Sequence, residues 1–185
     1  MSQKLLIPLL LGTGREGRRS EAVARFLADK MQAAGFETPF VDVRDYVTGV
    51  TYHSRQIQPP MLPWRDLMAR ADGLAIVTPE YNHGYPGELK ILLDSVLGEY
   101  ERKPVGICGV SAGRAGGARA IEQVRDVVIA LQMVPLTNAP TFGNVGKFDP
   151  GEHDKYVEPF IEEMRWFATA LKQARAGADR EGVNG

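Results

Sequence analysis

The chain has 185 residues, of which 44% are hydrophobic and 24% charged, with a formal net charge of −1. That balance describes one globular domain able to bury a sizeable core, and it excludes a disordered chain and a protein built around a broad nucleic-acid footprint. Cys108 is the single cysteine, which excludes an internal disulfide and Cys-rich zinc or iron–sulfur sites. No apolar run approaches the roughly 20 residues of a membrane span, and Met1-Ser2-Gln3-Lys4 lacks a signal-peptide layout, so the expected location is cytoplasmic and off the membrane.

Leu5 to Leu11 is a continuous apolar run ending at Gly12 and predicts the first parallel strand, with Pro8 as an objection because it removes a ladder donor. Ser20 to Met31 has helical spacing, with Ser20 as N-cap and Gly35 as the C′ residue. Thr38 to Val43 predicts the second strand. Residues 44 to 63, with Pro59, Pro60 and Pro63, form a long irregular connection of the kind that is functional or mobile. A short helix over Trp64 to Ala71 leads to a third strand, Gly73 to Val77, and then a helix over Glu88 to Leu97. Lys103 to Val110 is the fourth strand, Ala118 to Leu131 a helix, and Met133 to Thr137 the fifth strand. Pro140 to Asp154 is loop, Tyr156 to Lys172 the closing helix with Pro159 in its first turns, and 177–185 a polar tail expected to fray. Trp64 and Trp166 are expected to anchor helices on the sheet, and Glu158, Glu162 and Glu163 to form a solvated face.

This alternation of strand and helix, without repeat or linker, predicts an α/β doubly wound sandwich over residues 1–176. Its sheet would have five parallel strands in the flavodoxin-like order 2-1-3-4-5, with helices on both faces. Ligands of such sheets bind beyond the C-terminal ends of the strands. The loop after the third strand, Thr78-Pro79-Glu80-Tyr81-Asn82-His83-Gly84-Tyr85-Pro86-Gly87, sits there. Its prolines fix the path, its glycines admit close backbone approach, and its rings and amide suit a flat heterocycle.

The first loop, Gly12-Thr13-Gly14-Arg15-Glu16-Gly17-Arg18-Arg19-Ser20, offers backbone N–H groups, a helix N-terminus, two hydroxyls and three arginines, which together suit a phosphate. Gly12-x-Gly14-x-x-Gly17 also matches the dinucleotide pattern, with Asp42 where a ribose-binding acid would sit, but the helical pattern begins only at Ser20. The P-loop spacing is present too, yet Arg18-Arg19 stands in place of Lys-Ser/Thr, which argues against NTP hydrolysis.

With these loops in place, the chain resembles the NAD(P)H-dependent FMN reductases, the flavodoxin-like group with chromate-, quinone- and azo-reducing members. The likeness rests on Leu11-Gly12-Thr13-Gly14-Arg15 with Ser20, on Thr78 to Asn82 with Pro86-Gly87 and Leu89-Lys90, and on Gly109 to Gly113 with Gly116-Gly117 and Gln123-Val124-Arg125. The resemblance implies bound FMN, NADPH or NADH as donor, and a small-molecule electron acceptor such as a quinone, flavin, azo compound or metal oxyanion, reached by ping-pong turnover. It places the phosphate on Thr13, Arg15, Arg18 and Ser20, and the isoalloxazine edge along Pro79, Glu80, Tyr81, Asn82 and His83, largely through backbone groups. Ser111 and Gly113 fall on the far side of the ring, and Arg114 near its N1–C2 region. It also implies a homodimer or homotetramer. No catalytic acid or nucleophile is named, because the cofactor carries the reaction. His53, His83 and His153 are too scattered for a metal site, and Cys108 lies inside an apolar strand. A flavodoxin-type electron carrier and a flavin-free regulatory module of the same fold remain the alternatives.

Overall fold

In a computed structural model, which describes residues 4–46 and 48–182, the strands are β1 (Leu9–Leu11), β2 (Phe40–Asp42), β3 (Leu74–Pro79), β4 (Pro104–Val110), β5 (Val134–Pro135) and β6 (Thr141–Phe142). The helices are α1 (Ser20–Ala33), α2 (Leu62–Arg70), α3 (Gly87–Leu93), α4 (Ala118–Ala130) and α5 (Asp154–Gly182). All named strands pair in parallel, in the order β2-β1-β3-β4-β5, with β6 also on β4. This is the flavodoxin-like order.

Alternation along the strands divides the core in two. Leu10, Ile76, Val105 and Ile107 face one way, against Trp64 and Met68 of α2, Leu89 and Leu92 of α3, and Ile121 and Val124 of α4. Leu9, Leu11, Ala75, Val77 and Cys108 face the other, against Val23, Leu27 and Met31 of α1 and Val157, Phe160 and Met164 of α5. At Gly106 the fit is so close that a Cβ would stand 2.2 Å from the Phe160 ring, so only glycine lets α5 reach β4 there.

Pro8 has the effect its chemistry predicts. The formal strand begins after it, while Leu6 bridges to Glu37 and its N–H donates to the buried Asp72 carboxylate at 3.0 Å. Gly35 ends α1 with a φ of 90°; its own N–H donates to Gln32 O and that of Phe36 to Met31 O, the paired bonds of a Schellman motif. Helix α3 stops at Leu93 rather than Leu97, because the Ser95 hydroxyl bonds back to the Leu92 carbonyl at 2.6 Å. Helix α5 continues past Lys172 to Gly182, into the stretch whose composition predicts a frayed tail; residues 183–185 lie outside the described residues. Trp64 is buried and donates to Tyr100 Oη at 2.7 Å, whereas Trp166 is an outward-facing, 66% exposed side chain and anchors nothing on the sheet.

The outer strand differs most from expectation. It is broken: β5 pairs with the start of β4 and β6 with its end, and the stretch read as loop from Pro140 contributes β6. The break is served from both faces. Glu163 of α5 accepts from the N–H groups of Thr137 and Asn138 at 3.0 and 2.7 Å, so it is a backbone ligand rather than part of a solvated face. Arg125 of α4 donates to the carbonyls of Leu136 and Thr137, both at 3.2 Å.

Candidate functional site

At the C-terminal edge of the sheet, the loops after β1, β3, β4 and β6 enclose a cavity of about 400 Å³. Its walls are Arg15 to Ser20, Pro79 to Tyr81, Val110 to Ala112, and Val145. The position is the switch point between β1 and β3, where connections leave for opposite faces of the sheet.

The first loop is held from below. Thr13 is fully buried, with its hydroxyl 3.2 Å from Tyr81 Oη and accepting the Arg15 N–H at 3.2 Å. Arg18 is also buried. It donates to Thr13 O at 2.5 Å and makes a bidentate fork to Asp42, with Nη1 2.8 Å from Oδ1, and a further bond to Glu21. Burial alone would raise the Asp42 carboxyl pKa, but the Arg18 guanidinium and the Arg44 N–H outweigh it and hold it below the usual carboxylate value. Arg44 adds bonds to the Gly14 and Arg15 carbonyls at 3.1 and 2.7 Å. Asp42, which in the dinucleotide pattern would meet a ribose, is thus spent on bracing this loop.

Above that brace, the exposed Arg15 lays its guanidinium over the Tyr81 ring, 5.2 Å from the centroid. The exposed Arg19 lies against Gly146, where a Cβ would meet its Nη1 at 2.6 Å. Ser20 is the first residue of α1, not its cap; Arg19 holds the cap position without a side-chain bond. Ser20 borders the cavity, and its buried hydroxyl has no hydrogen-bond partner among the described residues. The first-turn amides of α1 have no intrahelical acceptor either.

The loop after β3 is fixed by α4. The Glu80 carboxylate, 7% exposed, turns away from the cavity and accepts from Arg119 Nη1 at 2.8 Å and the Arg119 N–H at 3.2 Å. Its burial would raise the pKa, but these bonds and one from the Ala120 N–H lower it overall. Tyr81 and Gly84 exchange backbone bonds of 2.8 and 3.0 Å around a tight turn, in which Asn82 and His83 take φ values of 51° and 70°. Gln123 steadies that turn by donating to His83 O at 2.9 Å.

The loop after β4 needs its glycines for close packing. A Cβ at Gly109 would stand 2.6 Å from Gly116 O, and one at Gly117 would stand 2.6 Å from Val110 N. The tip is tied to the segment after β6, since Gly113 O accepts from Asn144 N at 3.0 Å and Ser111 O from Val145 N at 3.1 Å.

Of the residues singled out from sequence, Arg15, Arg18, Ser20, Pro79, Glu80, Tyr81 and Ser111 meet at one cavity. Within that set the Arg18 guanidinium and the Glu80 carboxylate point away, into ion pairs. Thr13 lies beneath the cavity wall, and Asn82, His83, Gly113 and Arg114 are exposed beyond it. Val110 and Ala112, part of the Gly109 to Gly113 segment but not singled out within it, also line the cavity, and Val145 lines it without having been anticipated. Val145 is carried there by the segment after β6, which packs so closely on the loop after β4 that a Cβ at Gly143 would meet the Arg114 and Gly113 carbonyls at 2.8 and 2.9 Å.

Residues 5–147 match the model of the NADPH-dependent FMN reductase family. The chain belongs to this family. It is accordingly an oxidoreductase with FMN as cofactor and NADPH or NADH as donor. The quinone reductase of Escherichia coli (strain K12) is 31% identical over 183 residues, covering 92% of this chain and 95% of that protein. A 2-hydroxy-1,4-benzoquinone reductase from Burkholderia is 33% identical over 144 residues, covering 74% of this chain and 76% of its own. Among solved structures, the flavoenzyme NAD(P)H:(acceptor) oxidoreductase FerB from Paracoccus denitrificans superposes with a TM-score of 0.71 at 18% identity, covering 91% of this chain and 98% of its own. A flavodoxin from Pseudomonas aeruginosa gives 0.57 at 20% identity, covering 91% and 99%. At those identities the two structures speak for the fold. The site fits the cofactor on its own terms: a buried hydroxyl with no partner among the described residues and a helix N-terminus at one end suit a phosphate, and Pro79 and Tyr81 together with Val110 to Ala112 suit a planar ring.

Proposed function

We propose that this protein is a quinone-reducing member of its family, passing electrons from NADPH or NADH to a small acceptor in two successive half-reactions at one cavity. FMN, when bound here, would supply the redox chemistry, that of a two-electron carrier between nicotinamide and acceptor. The chain's residues bind and orient. Ser20 Oγ, the α1 amides, Arg15 and Arg19 hold the phosphate, while Arg18 and Thr13 brace the loop that presents them. The backbone of Pro79, Glu80 and Tyr81 borders one edge of the ring and Ser111 with Ala112 the other; Asn82, His83, Gly113 and Arg114 form the outer rim that meets the nicotinamide or the acceptor.

The carrying observation is the Ser20 hydroxyl, buried at a cavity and a helix N-terminus with no partner among the described residues. Leaving a buried hydroxyl unpaired costs about 1–3 kcal/mol, which a phosphate oxygen would offset. The quinone assignment draws on the Escherichia coli and Burkholderia relatives. A cytoplasmic homodimer or homotetramer completes the reading. It is compatible with exposed Ile129 and Trp166 on outer helices, and no helix of the described residues is long and apolar enough to cross a membrane.

The test is anaerobic. Protein mixed with FMN and desalted should stay yellow, bleach on NADPH or NADH, and regain colour on adding a benzoquinone, with parallel-line initial-rate plots. Retained flavin that neither nucleotide bleaches would favour an electron carrier, and a colourless protein would refute the site.

A further inference from the structure

Glu80 lies in the wall of the cavity, yet its carboxylate does not face it. It reaches instead to the N-terminus of α4, where it accepts the Arg119 N–H at 3.2 Å and the Arg119 guanidinium at 2.8 Å, with the Ala120 amide also donating. That end of α4 has no cap of its own. Its N-cap is Gly117, in the left-handed region at φ 86°, with no side chain to offer. Glu80 therefore caps α4 from a different loop, and a carboxylate there also opposes the positive end of the helix. A second strut runs back the other way, from Gln123 of α4 to His83 O at 2.9 Å. Between the struts lies the tight turn at Asn82 and His83, whose left-handed backbone is costly for a non-glycine residue unless its surroundings enforce it.

We infer that Glu80 is a positioning residue for the flavin: by capping α4 it locks the loop after β3 to the loop after β4, so that the two walls of the cavity hold the ring as one unit. This rests on the flavin reading above. The Glu80 side chain acts on the cofactor only through the backbone it fixes, and an uncapped α4 would leave both walls free to spread. Ligand binding would then have to order them first, which weakens affinity.

A control separates this from a general loss of stability. Glu163 is also a carboxylate that accepts two backbone N–H groups, those of Thr137 and Asn138, away from the cavity. FMN is titrated by fluorescence into the flavin-free wild type, Glu80→Ala and Glu163→Ala, and amide exchange is followed at Arg119 and Ala120. Glu80→Ala should weaken FMN binding by about tenfold and speed exchange at those amides, while Glu163→Ala lowers Tm but keeps Kd within about twofold of wild type. Glu80→Gln, which keeps an acceptor oxygen and loses the charge, should fall between; if Glu80→Ala does not fold, Glu80→Gln carries the comparison. A Glu80 variant that binds FMN like wild type, or a Glu163→Ala that weakens it equally, overturns the inference. A wild type that takes up no FMN refutes the flavin reading itself, and the coupling falls with it.

Discussion

Replacing Arg18 by methionine separates bracing from binding in the first loop. The Arg18 side chain is 2% exposed and Asp42, its bidentate partner, 24% exposed. Breaking a buried ion pair by removing one partner costs about 3–5 kcal/mol, because a charge is left behind without its counterion. Asp42 keeps some contact with water and the Arg44 N–H at 3.0 Å, which puts the expected loss nearer the lower end. We therefore expect about 3 kcal/mol, or a Tm lower by roughly 6–12 °C for a domain of this size. Urea unfolding of the flavin-free protein measures it, and pH supplies a second signature. Because the folded Asp42 pKa is depressed, its stabilisation is present above the unfolded carboxylate value and is lost as pH falls through the folded one. The gap between wild type and Arg18→Met should thus narrow on acidification. FMN affinity should change less than stability, while Arg15→Ala should show the reverse. An Arg18→Met protein as stable as wild type but unable to hold FMN would refute the bracing role and make Arg18 a phosphate ligand.

Ser20→Ala should move two quantities in opposite directions: the flavin-free protein gains up to about 1 kcal/mol from losing an unpaired buried hydroxyl, and FMN binding weakens by about tenfold. Tyr100→Phe leaves the buried Trp64 indole N–H without its acceptor and should cost about 1–3 kcal/mol in urea unfolding, with no change in FMN affinity. Lys103 is buried, which lowers its pKa to about 8, with the Arg175 charge adding to the effect against Asp72 and Glu99. Since the unfolded chain holds that proton to higher pH, stability should rise with pH above about 8, and Lys103→Met should flatten that rise.

The layered fold was legible because its signals are local: apolar runs for buried strands, helical spacing between them, and a glycine where a helix stops. The broken outer strand was not, because β6 is two residues long and is defined by partners on β4 rather than by its own pattern. The same distinction runs through the site. That Arg15, Ser20, Pro79, Tyr81 and Ser111 share a cavity follows from loops at one edge of a parallel sheet. That Arg18 turns inward does not follow, since three arginines in one loop look alike until Asp42, twenty-four positions away, is brought beneath one of them. Glu80 was read with its loop although its side chain belongs to α4, a partnership spanning thirty-nine positions.

The interrupted strand at the outer edge has a consequence for how copies of this protein can meet. An intact edge strand is a template on which another chain can extend the sheet. Here the edge is divided into two short pieces, with Pro135 and Pro140 beside the break and the Thr137 and Asn138 amides already engaged by Glu163. At the opposite edge, β2 offers three residues preceded by Pro39. Neither margin presents the continuous row of free donors and acceptors that edge-to-edge growth requires. The fold thereby guards against sheet-mediated aggregation and leaves helices and loops as the surfaces for self-association.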